Sequence, residues 1–183
     1  MKSLICLAAM FGFISLFGTG CTTSPDTESG KTNLSDDSST ALSRMEAQDP
    51  SLNDFLKAGH AYGYAIFPSV GKGGVGIGGA YGKGELYVNG QMVGYADLSQ
   101  ATIGLQLGGQ TYSELICFET QQAVDTFKSN NYAFDAQASA VAVKSGASTD
   151  ARYSNGVAIF TLPQGGLMFE ASVGGQRFTY QPK

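Results

Sequence analysis

The chain changes its hydrophobic period twice. In "PSLNDFLKAG", from residue 50, Leu52, Phe55 and Leu56 share one helical face. Asp49 suits the cap, Pro50 the first helical position and Gly59 the stop. Just upstream, "TALSRMEA" predicts a short helix begun by Ser39 or Thr40. From Tyr62 the period becomes two. "YAIF", "GELYV" and "QMVGYADL" read as strands, the last two joined by the hairpin signal Asn89-Gly90. "ATIGLQLGG" sets Ile103, Leu105 and Leu107 against Thr102, Gly104 and Gln106, and "TYSELICF" is a further strand. "TQQAVDTFKSN" then interrupts, with Thr120 capping a helix whose Ala123, Val124 and Phe127 face inward. Strands resume in "YAFDAQASAVAV", "GVAIFTL", "GGLMFEASV" and "QRFTY". The predicted fold is α+β and mainly β. It is a strongly curved antiparallel sheet or small barrel-like β-structure, with one or two N-terminal helices and one helix near 120–129.

The segment "VGKGGVGIGGAYGKGELYVNG" decides the function class. Residues 71–84 hold eight glycines. Gly74, Gly76 and Gly79 satisfy a dinucleotide-binding pattern as text, but that mechanism needs a helix to open behind the loop. Here a hairpin follows. Lys72 and Lys83 are each followed by glycine, so the P-loop pattern fails as well. Val75, Ile77, Tyr81, Leu86 and Val88 alternate, which a flexible linker has no reason to keep. Read from the other side, Gly74, Gly76, Gly78, Ala80, Gly82 and Gly84 form a strand face with nothing larger than methyl. Eight strand glycines cost about 4–8 kcal/mol against alanine, comparable with the whole stability of a domain. Something must pack flush against that face: a helix, the sheet's own curvature, or an extended ligand in a groove. In "YAFDAQASAVAV", Phe134 is followed on its face by Ala136, Ala138, Ala140 and Ala142, the same habit. There is also an internal echo, since "GYAIFPSVGKGGVGIGGAYG" and "GVAIFTLPQGGLMFEASVGG" both run Gly-x-Ala-Ile-Phe into a turn, Gly-Gly and a second strand.

Charge adds an export address. Lys2 precedes an uncharged apolar run over 4–17, too short for a span of roughly 20 residues, so 1–20 reads as a signal peptide. Gly18-Thr19-Gly20-Cys21 resembles a lipobox, with Gly18 in place of the usual leucine; Cys21 is the expected lipidation site. Thr22 is not the aspartate of inner-membrane retention, which points to an outer-membrane lipoprotein facing the periplasm. Residues 22–54 carry a net charge of minus five, and 55–183 are neutral, which argues against nucleic-acid binding. "TTSPDTESGKTNLSDDSS" buries little, so 21–39 is expected to be a lipidated N-terminus and disordered acidic tether, and 40–183 the β-rich domain. Once Cys6 leaves with the signal and Cys21 carries lipid, only Cys117 remains. No disulfide is possible within the domain, and Cys117 in "LICF" reads as a small buried hydrophobe.

Catalytic chemistry finds no constellation. His60 has no metal-ligand partner by spacing, no Gly-x-Ser-x-Gly elbow exists, and the acids of the domain are scattered singly. Neither enzyme activity nor cofactor nor metal is expected.

The stretch "GYAIFPSVGKGGVGIGGAYGKGELYVNGQMVGYADLSQATIGLQLGGQTYSELICFET" closely resembles the start of the SYLF domain family. "AVDTFKS", "DAQASAVAV" and "GLMFEASVGGQRFT" match its later segments in order, so the resemblance covers about 40–181. Tyr132-Ala133-Phe134 departs from a usual tryptophan followed by glycine, and Thr102 from a usual serine. The resemblance implies lipid binding without catalysis. Eukaryotic members are membrane adaptors that bind phosphoinositides and, in yeast relatives, actin; bacterial members are exported lipoproteins. For an envelope protein only binding of an anionic lipid or other amphiphile carries over. Lys57, His60, Lys72 and Lys83 are the headgroup candidates, around the bare strand. The rival reading is a structural or protein-interaction module of the envelope, whose sheet edge or small-residue face docks another protein.

Overall fold

The computed structural model describes the backbone of residues 23–57, 60–129, 133–134, 140–173 and 175–183, without the side chains of 57, 104–106, 133–134 and 167–173. Its elements in chain order are α1 (Glu28–Gln48), α2 (Ser51–Lys57), β1 (Gly63–Val88), β2 (Gln91–Phe118), α3 (Gln121–Lys128), β3 (Ala133–Phe134), β4 (Ala140–Ala142), β5 (Val157–Val173) and β6 (Gln176–Pro182). The mainly β expectation holds. "GELYV" and "QMVGYADL" are the facing ends of two very long strands, joined at Asn89 and Gly90 with φ of 51° and 77°. Both positive angles suit the turn that asparagine-glycine favours.

β1 does not run straight. Residues 70 and 82 would stand about 40 Å apart along an extended strand. Yet a Cβ placed on Gly82 would lie 2.9 Å from Val70 Cγ2. One on Gly84 would meet the Ile66 carbonyl oxygen and lie 2.7 Å from Phe67 Cδ1; one on Gly74 would meet Gly78 Cα. The strand therefore doubles back about Gly76, whose φ of 73° suits glycine. β2 follows it round the corner: the register passes from Val75↔Leu107 to Ile77↔Ile103, leaving two extra residues on β2. Two sheet halves result. In the first, β2 lies between β1 and β5, and β4 extends β5; in the second, β2 lies between β1 and β6, and β3 extends β6.

The antiparallel expectation needs one correction, because β4 pairs β5 in parallel. Chain direction explains it: β4 and β5 are joined by residues 143–156, a crossover connection rather than a hairpin. Nor does the sheet close into a barrel; it folds over, and its two halves pack face to face. Ala65, Phe67, Leu86, Leu98, Ile116, Phe118, Ile159 and Phe178 meet between them, with Val124 and Phe127 of α3 in the same cluster. That vindicates the helix near 120–129, capped by Thr120, whose hydroxyl accepts from Ala123 N–H at 3.2 Å. Strand alternation sends Ile66, Leu115, Cys117, Ala158 and Phe160 to the opposite face of the first half. There Ala41 and Met45 of α1 and Leu52 of α2 cover them.

The expected tether is the second correction. Residues 28–39 are helical, and α1 begins at Glu28 rather than at Ser39 or Thr40. Serine, threonine and aspartate are indifferent helix formers, but local bonds supply what propensity lacks. Thr27 caps Gly30 N–H at 3.0 Å, Lys31 pairs Glu28 at 2.8 Å, and Ser38, Ala41 and Met45 are buried against the sheet. Helix stability here comes from tertiary packing. Asp49 then joins the helices to the rest. Its carboxylate accepts from Ser51 N–H (3.2 Å), Gly146 N–H (3.1 Å) and Ser148 N–H (2.8 Å), tying α2 to the turn before β5.

The internal echo acquires a geometric meaning. Ala65 and Ile159 both pair Ile116, from opposite sides of β2, and further on Lys83 and Thr179 both pair Asp97. The two similar segments therefore flank the same bent strand. Each carries a register shift near a proline, Pro68 and Pro163, which lack the ladder donor.

Candidate functional site

Folding over uses up the bare face. Gly82 and Gly84 take the backbone and side chains of the strand's own first half, Gly74 meets the backbone of Ile77 and Gly78 just past the bend, and Ala80 joins the core. Gly76 is the exception: a Cβ there would meet nothing within 4 Å. The groove alternative is thereby closed at residues 82 and 84. Ala136 and Ala138 lie outside the described residues; Ala140 and Ala142 are exposed.

The cost of a sharp corner appears on its outside. Side chains at the bend point away from both halves, and here they are aliphatic. Val75 is 77% exposed, Ile77 73%, Ile103 70% and Leu107 63%. They form two cross-strand pairs, Val75 with Leu107 and Ile77 with Ile103, on either side of the bulge. Soluble monomers scatter exposed aliphatics singly, and a contiguous group marks an interaction surface. Tyr81, half exposed, follows Ile77 on the outer face of the second half. Beyond it Lys83 pairs Asp97 at 3.2 Å and donates to the carbonyl of Thr23 at 3.1 Å. The patterning displays these residues, but only the bend could say which positions stay uncovered.

A polar group lies in the interior, between the two sheet halves. Glu114 is 1% exposed, and its carboxylate accepts from Gln176 Nε2 at 2.9 Å. Burial pushes the Glu114 carboxyl up to about 7, against the opposing pull of Gln176, the Lys72 charge and Tyr112. Glu114 stands alone in sequence, and its partners arrive from β1 and β6, so no local pairing of acids marks it.

The headgroup candidates do not converge. Lys72 is turned inward and buried near Glu114, whereas Lys83 lies on the outer face of the other sheet half. His60 is exposed, stacked on Phe55 at 6.0 Å, and its carbonyl accepts from the Tyr153 hydroxyl at 2.5 Å. The side chain of Lys57 and the whole of Cys21 lie outside the described residues. Cys117 is buried under the helices as a free thiol, its pKa driven up by desolvation. Among the described residues no group of three His, Cys, Asp or Glu side chains could hold a metal, and no helix is long and apolar enough to cross a membrane.

A shallow depression of about 580 Å³ opens on the outer face of the first sheet half, floored by Gly71, Gly73, Gly109, Gly165 and Gly166. Lys72, Gln110 and Thr111 complete its lining.

Comparison with known proteins finds the family model Ysc84, described as "Las17-binding protein actin regulator", over residues 99–182. That span takes in most of β2 and everything after it. A similar protein is beta cell expansion factor A of Aeromonas veronii, 28% identical over 148 residues. The alignment covers 76% of this chain and 52% of that protein, so the chain spans about half the length of the relative. No solved structure matches. The ordered motifs read from the sequence, the family match over residues 99–182 and this bacterial relative agree in one direction: the chain is similar to SYLF-domain proteins.

Proposed function

We propose that this is a non-catalytic envelope lipoprotein whose SYLF-like domain binds lipid or another amphiphile at the folded corner of its sheet. The observation that carries the reading is the exposed quartet Val75, Ile77, Ile103 and Leu107. Burying one such side chain is worth roughly 1.5–3 kcal/mol, so four are worth on the order of 6 kcal/mol or more. Since the strand's own first half fills the space beside Gly82 and Gly84, the amphiphile meets a surface rather than a groove. The scattered lysines supply no single headgroup pocket, which fits a bilayer interface better than one tightly held lipid.

The outer-membrane address rests on the lipobox at Cys21 and on Thr22, and belongs to the same proposal. The test is sedimentation of the chain beginning at Thr23 with vesicles of neutral, anionic and cationic headgroups. Binding to at least one class is expected; failure with all of them overturns the reading. The second reading, a protein-docking module, is favoured by the same aliphatic corner. It predicts capture of a defined envelope protein that Ile77→Ser abolishes, without vesicle binding.

A further inference from the structure

We infer that the outer face of the second sheet half, from Ile77 to Lys83, lies against the bilayer that holds residue 21, so that the N-terminal anchor and the apolar corner engage one membrane in cis. This rests on the lipid reading and adds the orientation of the bound domain. The first described residues sit on that face. Thr23 Oγ1 is 3.3 Å from Thr179 Oγ1, its carbonyl accepts from Lys83 Nζ, and Ser24 N–H donates to Gln181 Oε1 at 3.1 Å. Thr23, held beside Lys83, is two residues along the sequence from the expected lipidation site.

Ile77, Tyr81 and Lys83 alternate outward on one strand, and six residues place Ile77 about 20 Å from Lys83. The first described residues and the corner thus occupy two ends of one face. The far end of that face is closed, because Tyr95 and Glu85 are buried, whereas Ala101, Ser99 and Arg177 are exposed beside the path from Thr23 to the corner. Its chemistry suits a bilayer interface: aliphatics at the tip, a half-exposed tyrosine behind them, then Lys83 and Arg177 at headgroup level. A leash this short raises the corner's effective concentration at the membrane to the millimolar range, so weak contact suffices.

The test uses the full lipidated chain in vesicles of phosphatidylethanolamine and phosphatidylglycerol, with an environment-sensitive fluorophore on Ile77→Cys or, as a control at the hairpin end, on Gln91→Cys. The expected result is a blue-shifted probe at 77, quenched by bilayer-embedded quenchers, and a probe at 91 that stays in water. A wet probe at 77 on the anchored chain overturns the inference, and the lipid reading then stands only if the unanchored chain still binds vesicles and loses that binding with Ile77→Ser. Shielding at 77 that needs no vesicles and rises with protein concentration assigns the corner to a second copy, and also overturns it. In a parallel arm the unanchored Cys21→Ser chain binds the same vesicles, and adding Ile77→Ser weakens it roughly tenfold. If the unanchored chain never sediments, the lipid reading itself fails.

Discussion

Gly84 and Gly71 are both strand glycines, yet they meet opposite surroundings. A methyl group on Gly84 would strike the Ile66 carbonyl and the Phe67 ring, whereas one on Gly71 would meet nothing within 4 Å. Gly84→Ala is therefore expected to lower stability by about 1–3 kcal/mol through overpacking. Gly71→Ala should be neutral or gain about 0.4–1 kcal/mol by restricting the unfolded chain. Paired urea melts check both, and equal effects would deny the folded-over strand. Glu114 gives a pH signature. Its folded pKa is raised from 4.5 to about 7, so the folded state keeps a proton that the unfolded state releases. Its contribution is intact below the unfolded value, is lost as pH rises from about 4.5 to 7, and stays lost above. The loss is on the order of 3 kcal/mol. Glu114→Gln should remove that loss, leaving a variant more stable than wild type at pH 8 and similar near pH 4; thermal melts across this range decide. Asp49 has the opposite sign. Burial pushes its carboxyl up, but bonds from Ser51, Ser148 and Gly146 together outweigh burial and leave the pKa lowered. Its contribution is present above the unfolded value and is lost as pH falls through the folded one. Asp49→Asn should cost about 2 kcal/mol at neutral pH, with the deficit shrinking in acid.

At the scale of elements, the strands, the Asn89-Gly90 hairpin, α2 and α3 follow from period, caps and turn residues. What the pattern could not supply was continuity. Alternation breaks at Pro68, so "YAIF" reads apart from the glycine-rich strand, whereas the paired β2 ladder carries β1 past both Pro68 and the bend at Gly76. The bare face was legible because its glycines repeat every second residue. Its occupant was not, since contact between residues 70 and 82 depends on a bend that a single φ of 73° at Gly76 permits. α1 was missed from 28 to 39 for a related reason: the side chains there favour helix only once Ser38, Ala41 and Met45 have a sheet to cover. Gly76→Val meets no steric neighbour but must adopt a left-handed conformation, costing about 1–2 kcal/mol. Circular dichroism melts should show that loss without altered strand content.

For the whole molecule, a folded-over sheet joins stability to function. Closing the two halves on each other makes a core and absorbs the glycine face, and the outside of the turn is left aliphatic. The family likeness was legible in ordered motifs, but nothing in the alternation separates Ile77, which stays in solvent, from Ile66, which α1 and α2 cover. Coverage is a property of the assembled chain. The central claim is that this corner meets lipid, and one measurement addresses it most directly: vesicle sedimentation of the chain from Thr23, wild type beside a variant with Ile77→Ser and Leu107→Ser. The account predicts that wild type pellets with vesicles and that the variant, with an unchanged melting curve, loses binding at least about tenfold. Equal sedimentation of the two would contradict it.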